Sequence, residues 1–206
     1  MSDLSGQWQA LIAEPLQFVA QESIAGCFYP PVPISQVQQL LSKPRFADRL
    51  LQLLMCRRGL SPLAALPTPQ QQDLTVLGLA PQTFARLPRL CGAVWHGATL
   101  RREIRSEVVM QLRQALGAPA YAQALARRHL AGAADLLREP AALIEAIDRD
   151  GLACVNGWLL AQPPALQDWL RLRLPALAEQ MQQLPKGADI TREMAATLIV
   201  EHEEIA

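Results

Sequence analysis

Residues 99–117 read TLRREIRSEVVMQLRQALG. Ile104, Val108, Leu112, Ala115 and Leu116 recur at the spacing of three and four that lines side chains along one face of an α-helix. No period-two alternation competes with that pattern, and Gly117 supplies a helix stop. The spacing predicts one continuous helix over 99–116, the longest in the chain. The same composition extends outward in both directions. Ala, Leu, Gln, Arg and Glu dominate, all strong helix formers. Alternating runs of Val, Ile, Thr and aromatic residues are nearly absent. The 16 prolines fall mostly between periodic segments, where they punctuate helices rather than interrupt them. The fold class is therefore all-α.

Moving toward the N-terminus, a helix is expected from Ser5 to Glu14, stopped by Pro15. A second follows the stiff segment Tyr29–Pro33, with Ser35 as its cap and Gln38 completing a capping box. A third runs from Phe46 to Arg58, buries Leu50, Leu53 and Leu54, and ends at Gly59. Residues 60–69 form a Pro-rich linker, and Thr68 with Pro69 opens the next helix. Pro88 to Gly97 reads as one short helix. Beyond Gly117, helices are expected near 119–130, 140–149, 152–161, 165–174 and 175–184. A last helix, capped by Asp189 or Thr191, carries an apolar stripe of Ile190, Met194 and Leu198. The chain reads as a single domain over 1–206, or as an N-terminal helical region spanning residues 1–80 with a larger block over residues 81–206.

Half of the 206 residues are apolar, enough for a sizeable core without covalent staples. Lys plus Arg equals Asp plus Glu at 19 each, so the formal charge is zero. Nucleic-acid binders draw most of their non-specific affinity from a basic excess, and this balance argues against that class. Cys27, Cys56, Cys91 and Cys154 are widely spaced and form no C-x-x-C pair. They read as free thiols in a reducing cytosol, with Cys56 and Cys154 in apolar runs as small buried hydrophobes. The start MSDLSGQWQ carries Asp3 and no basic stretch, so it does not read as a secretory signal. The longest apolar run, Leu152–Ala161, is too short for a bilayer span of about 20 residues.

No constellation of residues spells out catalysis. His96 follows Cys91 by five positions, more than one helical turn, so a nucleophile–base pair does not follow from the spacing. A helix-end histidine is the simpler reading. His96, His129 and His202 are isolated, and neither a zinc motif nor a Gly-rich phosphate loop occurs. The expectation is no catalytic residue, no metal and no cofactor. The surface residues that stand out lie in the opening stretch. Arg101 and Arg105 are four apart at a helix start, where like charges repel and cations are unfavourable. Glu103 and Glu107 form a second like pair. Either other helices of this chain, through Asp135, Glu139 or Asp148, or a partner must face them. Trp and Arg are common binding anchors. Trp95, Arg101, Arg102 and Arg105 are therefore the candidate partner-binding residues, while Trp8, Trp158 and Trp169 read as core.

Three stretches carry a family resemblance. They are Trp8–Val19 (WQALIAEPLQFV), Arg86–Arg105 (RLPRLCGAVWHGATLRREIR) and Gly157–Pro175 (GWLLAQPPALQDWLRLRLP). They cover roughly a quarter of the chain in one order. Together they resemble the SctK family of type III secretion sorting-platform proteins, whose members include YscK, PscK, OrgA and MxiK. Each match is a packing or turn pattern, and residues 30–80 show none. The resemblance implies a non-enzymatic cytoplasmic adaptor, peripheral to the inner membrane. Its implied partners are the SctD-type ring protein and the SctQ-type pod protein, with SctL and the ATPase reached indirectly. A helical secretion chaperone or regulator is the alternative, and a small enzyme using Cys91 or His96 is a third reading.

Overall fold

The computed structural model describes residues 4–136, 138–174 and 182–203. They form α1 (Leu4–Ala13), α2 (Gln21–Ala25), α3 (Ile34–Leu41), α4 (Ala47–Arg58), α5 (Gln71–Leu77), α6 (Pro81–Trp95), α7 (Gly97–Arg102), α8 (Ser106–Leu116), α9 (Ala118–Ala126), α10 (Pro140–Leu160), α11 (Pro164–Arg171) and α12 (Gly187–Glu203). Short 3-10 turns join some of them, and no strand occurs among the described residues. The protein is all-α, as its periodicity predicts. The helices sort into two units: α1–α5 with α11, and α6, from Thr83 on, to α10 with α12.

In the first unit Trp8 and Leu11 of α1, Leu63, Leu77 of α5, and Leu166, Trp169 and Leu170 of α11 are buried. Each such side chain contributes about 1.5–3 kcal/mol when fully removed from water. Polar ties hold the segment after Pro163 in place. The Trp169 indole N–H donates to the Ser61 carbonyl at 2.8 Å. The Ser23 hydroxyl and the Ala20 N–H both donate to the Leu172 carbonyl. Arg173 is buried, with its guanidinium over the Phe18 ring at 5.5 Å. It donates to the Leu77 carbonyl at 2.9 Å and to the Leu79 carbonyl. Those carbonyls lie at and just beyond the C-terminal end of α5, where helix carbonyls lack partners and favour a cation. Burial lowers the Arg173 pKa to about 9, still far enough above neutral to keep the charge.

In the second unit α10 is the central element. Ala146, Ile147, Ala153, Cys154, Val155, Trp158 and Leu159 are all buried. α12 packs along it, and the expected stripe Ile190, Met194 and Leu198 is buried. α6 crosses it at close range. A Cβ added to Gly92 would stand 1.9 Å from the Ile147 carbonyl oxygen, and one added to Gly151 would stand 1.9 Å from the Pro88 carbonyl oxygen. The crossing requires glycine on both helices. Around it Phe84 tilts against Trp158 at 6.4 Å between ring centroids, and Arg89 binds Asp148 through two hydrogen bonds of 2.8 and 2.7 Å. Leu100, Leu112, Leu116, Tyr121, Leu143 and Ile147 join α7, α8, α9 and α10 in one apolar cluster.

Several sequence expectations are corrected here. The helices expected at 140–149 and 152–161 are one helix, α10, because Gly151 is a packing contact rather than a breaker. α6 begins at Pro81 and runs through Pro88, so the N-terminal proline is the earlier one. Ser35 is inside α3, whose cap is Pro33, and no side-chain capping bond forms. α5 is capped by Gln70 rather than opened by Thr68 and Pro69, and α12 starts at Gly187, before Asp189 and Thr191. The helix expected over 119–130 ends at Ala126, since Arg127 turns out of it to bind Glu193 and Thr197. Cys56 is exposed, because it stands two residues past buried Leu54, on the far side of α4. Gly59 ends α4 in the left-handed conformation at φ 65°, as its position predicts. The helix expected at 175–184 falls largely outside the described residues.

The glycine crossing generates a test with an internal control. Gly151→Ala drives a methyl group into backbone and is expected to cost about 3 kcal/mol, the upper end of overpacking penalties. Gly157→Ala, on the same helix, meets nothing closer than 3.5 Å. It is expected to stabilise by about 0.4–1 kcal/mol, as alanine does at compatible helical sites. Urea denaturation of both variants checks the pair, and equal effects would show that the crossing is not the constraint.

Candidate functional site

α6 ends at Trp95, whose indole is buried at 9% exposure. The loop at Gly132 lies against it, so close that a Cβ there would stand 2.0 Å from the ring. The N–H groups of Gly132 and Ala133 both donate to the Trp95 carbonyl at 3.1 Å. Trp95 is thus a buried residue covered by its own chain.

His96 caps α7 and is buried. Its Nε2 stands 2.8 Å from Asp150 Oδ2. A carboxylate only accepts, so Nε2 carries the proton in the neutral ring. Burial lowers the His96 pKa against the opposing pull of Asp150. Cys91 is buried beside Thr191, with Sγ 3.9 Å from the hydroxyl. Burial, with Cys154 adding to it, pushes the Cys91 thiol well above its ordinary value. An activated nucleophile needs the opposite shift. Cys91 and His96 thus have separate partners. Among the described residues no three His, Cys, Asp or Glu side chains gather into a metal-binding group.

The stretch 99–116 is not one helix. Glu103 and Arg105 take extended backbone angles, and the chain breaks there into α7 and α8. The break has an electrostatic reason. In a continuous helix Arg101 would sit above Arg105 and Glu103 above Glu107, two repulsive pairs. In extended chain, residues i and i+2 share a side, and that brings Glu103 to Arg105. The Glu103 carboxylate accepts the Arg105 backbone N–H at 2.9 Å and both guanidinium contacts at 3.0 and 2.7 Å. The Arg105 hydrogen bonds hold the Glu103 carboxyl at about 2. Ile104, expected on the core stripe, is carried outward and is 87% exposed. Ala115 is exposed as well, while Leu112 and Leu116 keep their core positions.

The four predicted residues are therefore not one patch. Arg102 pairs with Asp135 at 3.1 Å, one of the internal carboxylates the sequence offered. Arg105 is held by Glu103. Arg101 points toward the C-terminal end of α9 and donates to the Ala124 carbonyl at 3.4 Å. Arg101 lines an open cleft of about 600 Å³ between α7, α8 and α9. Leu100, Val109, Tyr121 and Leu125 supply its apolar surface, and Arg113 and Arg128 bring two more cations. The Tyr121 hydroxyl donates to the Leu100 carbonyl at 3.4 Å, and burial raises its pKa. No local pattern marks Arg113, Tyr121 or Arg128, because they meet only when α8 and α9 fold back on α7.

The Glu103 pair carries a pH dependence of definite sign. Its folded-state pKa lies below the ordinary carboxylate range, so its stabilising effect is present above about pH 4.5 and lost as pH falls through about 2. Glu103→Gln is expected to melt lower than the parent at pH 7, with the gap closing toward pH 2. Thermal unfolding followed across that range checks it, and a gap independent of pH would assign the loss to packing instead.

No helix among the described residues is long and apolar enough to cross a membrane. No family model matches the chain. No solved structure matches it either. The nodulation protein NolU of Rhizobium fredii is 31% identical over 160 residues, spanning 70% of this chain and 74% of its own length. NolU of Sinorhizobium fredii (strain NBRC 101917 / NGR234) is 32% identical over 136 residues, 63% of either chain. Identity of this level over nearly three quarters of a relative makes this chain a member of the family of the nodulation protein NolU.

Proposed function

We propose that this protein is a non-enzymatic adaptor of a type III secretion sorting platform, an SctK-type protein at the cytoplasmic face of the inner membrane. It would link the cytoplasmic domain of an SctD-type ring protein to an SctQ-type pod protein, and through SctL to the ATPase. The observation that carries this reading is where the SctK-like stretches lie. Trp8 and Leu11 of the first stretch and Leu166, Trp169, Leu170 and Arg173 of the third are buried in the first unit. Leu87, Leu90, Cys91, Val94 and Leu100 of the second stretch, with Trp158 and Leu159 of the third, are buried in the second unit. The resemblance thus falls on residues that specify packing, the portion of a sequence that a shared fold constrains.

Three further points support it. The relatives carry the name of nodulation proteins, and nodulation is an exchange between a bacterium and a host plant of the kind a secretion apparatus serves. A build of two units, each with its own core, suits a protein that meets two partners. Its chemistry is that of surfaces, since the thiol and imidazole nearest to a catalytic pair have separate partners and the thiol pKa is raised.

Size-exclusion chromatography with light scattering tests the reading. The purified chain is mixed with the SctQ homologue of its organism and, separately, with the SctD cytoplasmic domain. A complex with each, and a ternary complex with both, is the expected result. Failure with both, from a sample shown to be helical by circular dichroism, would overturn the adaptor reading in favour of a chaperone or regulator.

A further inference from the structure

We infer that the cleft between α7, α8 and α9 is the docking site for a short acidic, amphipathic helical segment of a partner protein. It rests on the adaptor reading only in taking a protein as the occupant. Arg101, Arg113 and Arg128 line the cleft together with a single carboxylate, Glu103. That carboxylate is already committed to Arg105, through three hydrogen bonds. Arg113 and Arg128 are exposed and have no ion pair among the described residues, and Arg101 meets only a backbone carbonyl. Two other arginines of this unit at comparable exposure do have acids, Arg89 pairing with Asp148 and Arg102 with Asp135. In a chain of zero net charge, three uncompensated guanidinium groups around one cleft make a local positive field that is complementary to an acidic ligand.

The apolar portion of the lining decides between acidic ligands. Leu100, Val109, Tyr121 and Leu125 give the cleft an apolar wall. An amphipathic helix buries one apolar stripe in such a groove and keeps its charged residues at the rim, where arginine binds carboxylates in a planar fork. A volume of about 600 Å³ lies within the range of ligand clefts, about 300–1,000 Å³. A phosphate or other small anion would leave the apolar wall wet. A nucleic acid would need a basic track longer than one cleft. Tyr121 adds a large rigid surface that is already tied to Leu100 and so costs little ordering on binding.

The probe is a fluorescein-labelled synthetic helix of about four turns. Its Leu residues stand at i, i+3, i+4 and i+7, with Glu and Asp flanking them. Two controls accompany it: one with every acid replaced by Lys, and one of identical composition with the apolar stripe scrambled. Fluorescence anisotropy with the full chain is expected to show binding of the first peptide alone. The double variant Arg113→Glu/Arg128→Glu is expected to weaken it by about tenfold or more. Arg45→Glu/Arg49→Glu, in the other unit, is expected to leave it unchanged. Circular dichroism confirms that both variants fold. Absence of binding, binding unaffected by Arg113→Glu/Arg128→Glu, or equal binding of the scrambled acidic peptide would each overturn the inference. A dimer of the free chain abolished by the same double variant would assign the cleft to a second copy and overturn it as well. The two readings fail separately. A ternary complex in the co-elution experiment with no peptide binding leaves the adaptor and removes the cleft, whereas peptide binding with no co-elution does the reverse.

Discussion

The second unit depends on two helix backbones lying almost in contact. At the α6–α10 crossing, Gly92 faces the Ile147 carbonyl and Gly151 faces the Pro88 carbonyl, with no room for a Cβ on either side. Such a crossing fixes register as well as distance. Sliding α6 by a turn would bring a larger side chain to the contact and force the helices apart. With the register set, Phe84 meets Trp158 and Arg89 meets Asp148 along the two helices, and His96, just past the end of α6, meets Asp150. α12 approaches α10 in the same manner, since a Cβ at Gly187 would stand 2.8 Å from the Cys154 carbonyl oxygen. Small residues thus let α10 take two helices close against its backbone, and the large apolar side chains fill the space that remains.

The surface features follow from that frame. Leu100, held in the cluster with Ala93 and Ile147, anchors α7 against the crossing. α8 must then return along α10, and the chain between them turns at Glu103–Arg105. The turn exchanges two like-charge pairs for one charge-assisted, bidentate contact, and it carries Ile104 out of the core. The cleft is the space left where α7, α8 and α9 diverge, and its arginines Arg101, Arg113 and Arg128 have no ion pair among the described residues. Electrostatics that would be unfavourable in a straight helix thus become a local positive surface in the folded protein.

The first unit reaches the same end by different means. Its helices are short, and α2 has only five residues, too few to be stable alone. Tertiary ties compensate. Arg173 reaches the carbonyls at the end of α5, Trp169 reaches Ser61, and Leu172 accepts from Ala20 and Ser23. One C-terminal segment therefore closes hydrogen bonds that the N-terminal helices leave open. A family resemblance carried by packing positions has a plain physical basis here, because those positions are the ones the fold can least change.

The class of the protein was legible in its residues before any contact was known. Apolar spacing and helix-forming composition required helices, and prolines or glycines near the expected ends closed α1 and α4. Ile190, Met194 and Leu198 are buried because their periodicity leaves one face to hide. Charge spacing likewise singled out Arg101 and Arg105 as groups in need of partners, with Arg102 beside them. Which partners they have, and where the helices end, came from long-range packing instead. Gly151 and Pro88 have the same local signature as breakers, and what makes them helix-interior residues is a neighbouring backbone tens of residues away. Trp95 is covered by Gly132, a contact that no local pattern encodes. The cleft is assembled from three helices, so Arg113, Tyr121 and Arg128 become neighbours of Arg101 only when the chain folds back on itself. Periodicity is a property of adjacent turns, whereas a binding surface is a property of which turns meet.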